Sequence, residues 1–291
     1  MPLLSIVIAT YNYGRFLETA LKSVLDQKPD FEGAGLKFED LIELIVVDGG
    51  STDNTVEIIK KYEDYISWWV SEKDRGQSDA FNKGFAHARG RYLTWLNADD
   101  VFFPGSLLKI WKHVQKHPQC EWIAGAGAWL DPDLNVVRCN PVRPLSRYRI
   151  EAGVVMVCGP SSIFARTLLD RVGGKIDERF EFEMDTELWN RFCQRGGAKF
   201  DILPGYCWGL RMHKDAKMSG HNFADSPTHD KNHPVWERRR KESALMKSLY
   251  ERHALTLFRR MASTKIIPWM KGWIDTWRYQ GKPYRRLVEV R

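Results

Sequence analysis

The sequence predicts an α/β domain built on a mostly parallel β-sheet with helices on both faces. Short β-branched, apolar segments alternate with segments of helical periodicity over the first 114 residues, which is the order expected for parallel strands joined by helices. Polar residues follow directly after the apolar segments. Because the carboxyl ends of parallel strands share one edge of a sheet, where ligands bind, these polar residues predict a common site.

Four apolar segments are typical of buried strands: residues 5–9, 44–47, 68–70 and 92–96. Apolar stripes at helical spacing predict helices and begin at Phe16, Val56, Phe81 and Leu107. Farther along, residues 122–137 predict a hairpin about Asp131, and a helix is expected to start near Glu183. Residues 28–40 predict a long loop.

The composition favours a globular protein of the cytoplasm. With 291 residues, 43% of them hydrophobic, the chain can form one large domain and a modest extension. The sequence has no recognisable signal peptide and no apolar stretch of the roughly 18 residues that span a membrane. Its five cysteines are scattered without a CxxC pair, which predicts reduced thiols.

The charge is concentrated near the C-terminus. Residues 231–291 carry 16 Lys and Arg against 5 Asp and Glu, whereas the remainder carries 28 against 32. Such a basic extension favours an anionic partner, either lipid headgroups or nucleic acid. Trp269, Trp273 and Trp277 recur among these cations, which predicts a helix at a membrane interface or one that packs back on the domain. Without a nucleic-acid-binding motif, we expect no nucleic-acid partner.

Carboxylates at strand ends are the first candidates for chemistry. Asp99 and Asp100 follow an apolar strand, where adjacent carboxylates favour a hard divalent cation such as Mg²⁺ or Mn²⁺. By themselves they are more typical of a turn that caps the next helix. Asp48 ends another strand and can accept hydrogen bonds from a base or a ribose, or close an Asx turn.

Two later groups of polar residues are further candidates. In the polar run 71–84, Arg75 or Lys83 can face a phosphate, although an ordinary helix start explains the run as well. An alternating acidic run spans residues 181–187. Like charges at helical spacing repel and raise a pKa, which suits a general base, whereas a solvated acidic helix start is the simpler explanation. His213 is of interest as a further metal ligand.

Together these motifs resemble those of family 2 glycosyltransferases, which have the GT-A fold. Residues 5–12 (SIVIATYN) resemble the opening motif, residues 47–55 (VDGGSTDNT) the second, and residues 71–84 a third. Residues 95–100 (WLNADD) occupy the place of the DxD motif. The likeness is dense over residues 3–110 and looser to about 220. It implies a Rossmann-like GT-A domain over 1–220, with its nucleotide-binding half at about 1–110, its acceptor half at about 111–220, and a basic helical extension over 221–291.

The resemblance also implies roles for single residues. A nucleotide-sugar site would be lined by Thr10, Tyr11, Asn12, Asp48, Asp74, Asp79, Lys83, Asn97, Ala98 and Asp99. Asp99 and His213 would hold Mn²⁺ or Mg²⁺, and Asp185 would be the catalytic base, with Glu183 in reserve and Trp189 as the tryptophan that follows it. The chain departs from the family pattern at Asn97, where an Asp is usual, and at Met184, where a Glu is usual.

The implied function is transfer of a sugar, with inversion, from a UDP- or dTDP-linked donor to a hydroxyl acceptor. The acceptor would be a glycan or a lipid-linked sugar, in cell-surface polysaccharide synthesis at the inner face of the membrane. The alternative is a nucleotide-sugar-binding module without catalysis. A nucleotidyltransferase is disfavoured, because no glycine-rich, arginine-containing loop follows the first strand.

Overall fold

The structure, a computed structural model, describes residues 1–142, 159–217, 225–230, 233–250, 275–277 and 279–284. Within these residues the strands join in one nine-stranded sheet. They are β1 (Leu4–Thr10), β2 (Ile42–Asp48), β3 (Trp68–Ser71), β4 (Tyr92–Asn97), β5 (Val101–Phe102), β6 (Trp122–Leu130), β7 (Val136–Asn140), β8 (Ser162–Ala165) and β9 (Phe200–Arg211). Their order is β3–β2–β1–β4–β8–β6–β9–β5, with β7 paired to β6.

The helices connect the strands and cover the sheet. They are α1 (Gly14–Leu25), α2 (Lys28–Glu32), α3 (Phe38–Leu41), α4 (Thr55–Lys61), α5 (Gln77–His87), α6 (Ser106–Lys116), α7 (Arg166–Arg171), α8 (Met184–Gln194) and α9 (Pro234–Tyr250). Helix α5 crosses the sheet closely because residue 84 is a glycine: a Cβ there would lie 2.2 Å from Cγ1 of Val7. No described helix is both long and apolar enough to cross a bilayer.

Strands β3, β2, β1 and β4 form a parallel half-sheet. In its register Thr10 lies opposite Asp48 and Ala9 lies opposite Asn97. The apolar runs of these strands therefore stop together, and their polar ends share one border, which we call the carboxyl edge. This arrangement confirms the predicted α/β class and the four predicted strands.

The other half of the sheet mixes directions. β8 runs antiparallel to both β4 and β6, and β9 runs parallel to β6. β9 therefore runs in the direction of β4, and Arg211, its last residue, reaches the carboxyl edge. The predicted hairpin is confirmed as β6 and β7, closed by a turn in which the Asp131 carboxylate accepts a hydrogen bond from the Asn135 amide (2.8 Å).

The prediction of a loop over residues 28–40 is wrong in part, because α2 and the start of α3 lie there. Each of these helices is at most five residues long, too short to show a helical period. Their stability comes from tertiary packing, since the buried rings of Phe31 and Phe38 meet edge to face, 5.3 Å apart.

Residues 275–277 and 279–284 pack against the β6–β7 hairpin. The Val136 amide donates to the Lys282 carbonyl, and the Gly281 amide donates to the Val136 carbonyl, both at 2.7 Å. Tyr279 and Tyr284 are buried in a small apolar cluster beside the hairpin. This part of the extension therefore packs back on the domain.

Of the three tryptophans in the predicted interface helix, the structure describes Trp277. Trp277 is 79% exposed, although neighbouring Asp275 is buried and pairs with the Tyr206 hydroxyl. The other two tryptophans of the predicted interface helix, Trp269 and Trp273, lie outside the described residues.

Candidate active site

A buried carboxylate ends β2 at the carboxyl edge. Asp48 is fully buried, and its oxygens accept hydrogen bonds from the Ser51 amide (3.0 Å), the Ser71 hydroxyl (2.6 Å) and the Ser51 hydroxyl. Oδ2 accepts two of these hydrogen bonds and Oδ1 accepts one, so the buried carboxylate is partnered and Oδ1 can accept one more. The Asx-turn interpretation of Asp48 is thus realised, and it also fixes the carboxylate at the end of the strand.

The loop after β1 lies beside Asp48. Thr10 is buried, and its hydroxyl has no hydrogen-bond partner among the described residues. Tyr11 is 59% exposed. Asn12 has a φ of 54°, which an asparagine tolerates better than most residues. Its side-chain carbonyl accepts from the Thr52 amide (2.8 Å), so the loops after β1 and β2 are tied together and leave the tyrosine ring on the surface.

Asp74 lies next to this pair of loops. Burial raises the pKa of its carboxyl group, and its Oδ1 accepts from the Gly76 amide (2.9 Å). The approach depends on Gly49, since a Cβ at that residue would lie 2.6 Å from Oδ2 of Asp74. A larger residue at position 49 would therefore displace this carboxylate.

Asp79 and Lys83, one turn apart on α5, engage neighbouring side chains. Asp79 pairs with Arg75 (2.8 Å), and this contact lowers the pKa of its carboxyl group. Lys83 pairs with Glu72 (2.7 Å) and lies 3.9 Å from Asp79. The structure thus places both residues in an ion-pair network beside Asp74.

The residues after β4 form a tight polar turn. Asn97 accepts a hydrogen bond from Gln77 (2.6 Å) and donates one to Asp100 (2.7 Å). Ala98 is buried, and its amide faces the Ala9 carbonyl (3.3 Å). Asn97, where the family pattern has an aspartate, therefore stabilises the turn through an amide that both donates and accepts.

Asp99 meets His213 beyond the carboxyl edge. Oδ2 of Asp99 lies 3.0 Å from Nε2 of His213, and the two residues are 9% and 4% exposed. The buried Nδ1 of His213 has no hydrogen-bond partner in the described part of the chain. Neighbouring Asp100 is 2% exposed, and burial, together with the charge of Asp99, raises the pKa of its carboxyl group well above the usual range.

These side chains suit a divalent cation. A carboxylate oxygen and an imidazole nitrogen are donors that Mn²⁺ accepts, and a cation would offset two adjacent buried carboxylates. Such ions often take only one or two protein side chains and complete their coordination with phosphate oxygens and water. The Asp99–His213 pair therefore fits the metal that the sequence resemblance implies.

Asp185 lies in the first turn of α8 and is partly buried. Burial, the largest effect, and the nearby Glu183 raise the pKa of its carboxyl group to about 6. The other acidic residues of the run are engaged: Glu187 forms a buried ion pair with Arg191 (2.8 Å), and Glu181 pairs with Arg238. Because α8 begins at residue 184, Glu181 precedes the helix, and the acidic neighbour that raises the pKa of Asp185 is Glu183 instead of the predicted partner Glu181.

Trp189 anchors the helix that carries Asp185. It is fully buried, and its ring stacks on those of Trp95 (5.6 Å, 9°) and Trp122 (4.9 Å, 30°). Since Trp95 belongs to β4 and Trp122 to β6, α8 is fixed on the sheet one turn below Asp185. Burial of such aromatic side chains contributes several kilocalories per mole each to the packing.

Lys217 links the end of β4 to the start of α8. Its Nζ donates to the Glu181 carbonyl (2.6 Å) and to Oε1 of Gln77, whose amide nitrogen in turn donates to Asn97. Burial lowers the pKa of the Lys217 amine, against the opposing charges of Glu181 and Asp185. Lys217 was not predicted from the sequence because it lies in an irregular segment; its one signal is a cation four residues after His213.

A profile described as glycosyl transferase family 2 matches residues 5–172. The chain belongs to this family. The matched residues include β1 to β4 and the turn that holds Asp99, so the family assignment covers the carboxyl edge of the parallel half-sheet. His213 and Asp185 lie beyond the matched residues.

The relatives of this family 2 chain described here align with part of its length. An uncharacterized glycosyltransferase of Nostoc sp. is 36% identical over 110 residues, which are 37% of this chain and 31% of that one. An uncharacterized glycosyltransferase of Rickettsia prowazekii is 28% identical over 209 residues, 69% of this chain and 61% of that one. The chain thus spans less than two thirds of the length of both relatives.

Solved structures share the fold of this family 2 chain. The crystal structure of S. aureus TarS 1-349 in complex with UDP-GlcNAc aligns with a TM-score of 0.56 and 15% identity, over 94% of this chain and 79% of that one. The mannosyltransferase PcManGT from Pyrobaculum calidifontis, in complex with GDP-Man and Mn²⁺, aligns with a TM-score of 0.53 and 17% identity, over 96% and 84%. The GT-A fold inferred from the motifs is therefore confirmed.

Proposed function

We propose that this chain transfers a sugar from a nucleotide diphosphate sugar to a hydroxyl group of an acceptor. The observation that carries the proposal is the assembly at the carboxyl edge. Buried Asp48 and the Asp99–His213 pair follow strands that end there, and Lys217 connects this edge to the helix that carries Asp185. A nucleotide, a diphosphate and a sugar hydroxyl each find matching chemistry at such an edge.

The loops after β1 and β2 are the proposed nucleoside site. The exposed ring of Tyr11 can stack on a base, and the Thr10 hydroxyl and Asp48 carboxylate can bond to a base or a ribose. Asp74, Asp79 and Lys83 line the same side. UDP-GlcNAc in the TarS structure and GDP-Man in the mannosyltransferase structure make nucleotide sugars the first donors to test, with UDP and dTDP donors preferred here.

The proposed metal ligands are Asp99 and His213, with Mn²⁺ or Mg²⁺ as the ion. When bound, such a cation supplies positive charge that stabilises the departing diphosphate. Asn97 and Ala98 hold the turn that presents Asp99, and Lys217 adds a second positive charge close to Asp99 and Asp185.

Asp185 is the proposed general base. Its carboxylate takes the proton of the acceptor hydroxyl while that oxygen forms a bond to the anomeric carbon. The bond from the anomeric carbon to the diphosphate oxygen breaks on the opposite face, and its electron pair leaves with the diphosphate. Attack opposite the leaving group inverts the anomeric configuration. Glu183 is the reserve candidate for the base, at the N-cap of α8.

A panel of UDP-, dTDP- and GDP-sugars tests the proposal, each assayed with and without Mn²⁺ for thermal stabilisation and for donor hydrolysis. One nucleotide class is expected to raise the melting temperature in the presence of metal and to be hydrolysed slowly. Binding without hydrolysis or transfer to any glycan acceptor would instead favour a non-catalytic nucleotide-sugar-binding module, and no stabilisation by any donor would contradict the proposal.

We also propose that the basic extension brings the protein to an anionic membrane, where a lipid-linked acceptor would lie. Supporting this are the excess of 16 cationic over 5 anionic residues in 231–291 and the exposed ring of Trp277. Vesicles rich in phosphatidylserine are expected to carry the protein in a flotation gradient, and Trp277→Ala to weaken this. Protein that stays in the soluble fraction with anionic vesicles would contradict membrane binding.

A further inference from the structure

A cluster of side chains of the types that ligate metals lies near the start of β9, away from Asp99. His113 is in the last turn of α6, His117 is the C-cap of that helix, and Asp201 is the second residue of β9. In the part of the chain that the structure describes, these three residues form the one cluster of His, Cys, Asp or Glu whose three ligand atoms all lie within 4.8 Å of one another. Histidines four residues apart on a helix face the same side.

The distances between the ligand atoms are similar to those around a bound zinc ion. Oδ2 of Asp201 lies 2.9 Å from Nε2 of His113 and 3.8 Å from Nδ1 of His117, and the two imidazole rings stack 4.6 Å apart. Zinc with bonds of about 2.0–2.1 Å in a tetrahedron places its ligand atoms roughly 3.3 Å apart. Small side-chain rotations are therefore enough for all three atoms to share one ion.

The Asp201 carboxylate is held in place by its other oxygen. Oδ1 accepts a hydrogen bond from the Ile202 amide (2.8 Å), which leaves Oδ2 directed at the histidines. Ligands of metal sites are commonly oriented by such outer hydrogen bonds. The side chains of His113, His117 and Asp201 are 10%, 45% and 39% exposed, so an ion can enter from solvent and water can complete its coordination.

The cluster is separate from the proposed catalytic metal. Asp201 is near the start of β9 and Arg211 is its last residue. They pair with Ile123 and Leu130 of β6, and this stretch of β6 places them roughly 23 Å apart at about 3.3 Å per residue. The donor sets also differ: two imidazoles with one carboxylate select a borderline ion such as Zn²⁺ over Mg²⁺.

We propose that His113, His117 and Asp201 bind one zinc ion that joins the end of α6 to the start of β9. The ion stabilises the fold at the border of the sheet opposite the carboxyl edge.

Calorimetric titration of the EDTA-treated full chain with zinc chloride near neutral pH tests the proposal. Wild type is expected to bind one equivalent at this cluster, an equivalent that Asp99→Ala retains, and an excess of zinc is expected to raise the melting temperature by roughly 5 °C. His117→Ala and Asp201→Asn, both at partly exposed positions, are expected to weaken zinc binding at least tenfold. Asp99→Ala should keep the site, as should His87→Ala, which removes a histidine outside the cluster.

Three results would overturn the proposal: no zinc taken up by wild type, wild-type zinc affinity in both cluster variants, or loss of the bound equivalent in Asp99→Ala. Circular dichroism of each variant without metal shows whether the fold is retained. If His117→Ala unfolds, the zinc affinity of Asp201→Asn becomes the deciding measurement. The amide oxygen of Asn at position 201 can still accept the hydrogen bond from the Ile202 amide, but it binds zinc poorly.

Discussion

Nε2 of His213 lies 3.0 Å from Oδ2 of Asp99, although 114 residues separate them in the chain. They meet because β4 ends at Asn97 and β9 ends at Arg211 on the same edge of the sheet. Each side chain comes two residues after its strand, so the sheet itself sets their separation. This contact makes Asp99 and His213 one site that can be tested by removing either member.

Asp99→Ala should lower metal-dependent donor affinity at least tenfold, because the proposed cation site loses its carboxylate ligand. Calorimetry with the preferred donor, with and without Mn²⁺, measures the change. Asp133→Ala, which removes an exposed carboxylate from the hairpin turn, is the matched control and should bind as wild type. Equal affinities in wild type and Asp99→Ala would exclude the metal role of Asp99.

Asp185→Asn should lower kcat by about 10²–10⁴-fold with little change in donor affinity, since the amide cannot accept the proton. The variant should melt no lower than wild type near neutral pH, because burial penalises the charged carboxylate and not the amide. Glu183→Gln serves as the comparison and should keep most of its activity. The reverse result, with Glu183→Gln inactive and Asp185→Asn active, would move the role to Glu183.

The pH dependence of kcat should show an acid limb near pH 6, the value to which burial raises the pKa of Asp185. Below that pH the proposed base is protonated, and activity should fall about tenfold per pH unit. The sign for stability is opposite: because its pKa in the folded protein exceeds the ordinary 3.8, Asp185 favours folding at low pH, and this is lost as the pH rises through about 6. A kcat that is constant down to pH 5 would argue against this carboxylate.

Lys217→Ala should move the acid limb to higher pH, because the Lys217 charge favours the ionised form of Asp185. Donor affinity should also fall, since Gln77 loses its partner beside Asn97. Lys217→Arg should keep the limb near its wild-type position. Lys214→Ala removes a nearby exposed cation and is the control; an identical shift in that variant would point to general electrostatics instead.

Gly84→Ala should destabilise the fold by about 1–3 kcal/mol, because the new Cβ would lie 2.2 Å from Cγ1 of Val7. Chemical denaturation measures the loss. Val7→Ala makes room for the added methyl group, so the double variant should be more stable than the sum of the single changes implies. Strict additivity would mean that the two residues do not compete for the same space.

The parallel half-sheet could be predicted because each of its strands is marked by a short, continuous stretch of the sequence. Each of β1 to β4 is an apolar run followed by polar residues, and the shared register brings Asp48 and Asn97 to one edge. The carboxyl ends of parallel strands share one edge of a sheet, so the polar edge that holds Asp48 and Asn97 followed from the strand ends. Other elements had no such signal: β5 is two residues long and exists through pairing with β9.

The ion pairs of the site and the pKa shift of Asp185 could not be predicted from the spacing of residues along the sequence. The acidic run suggested repulsion among neighbours, but the structure gives Glu187 and Glu181 arginine partners and leaves Asp185 under a burial effect. The burial of these carboxylates depends on how α8 packs on the sheet, for example through the stacking of Trp189 on Trp95, and such contacts join residues far apart in the sequence. The position of Lys217 is likewise set by residues far away in the chain.

The sheet order has a consequence for biosynthesis. Strand β8 sits between β4 and β6, although it is translated after β6. While the nascent chain leaves the ribosome, the parallel strands β1 to β4 are complete before residue 100, but the open side of β4 waits for Ser162–Ala165. A chain released early would present an unpaired, apolar strand border to other unfinished chains, the situation in which aggregation begins.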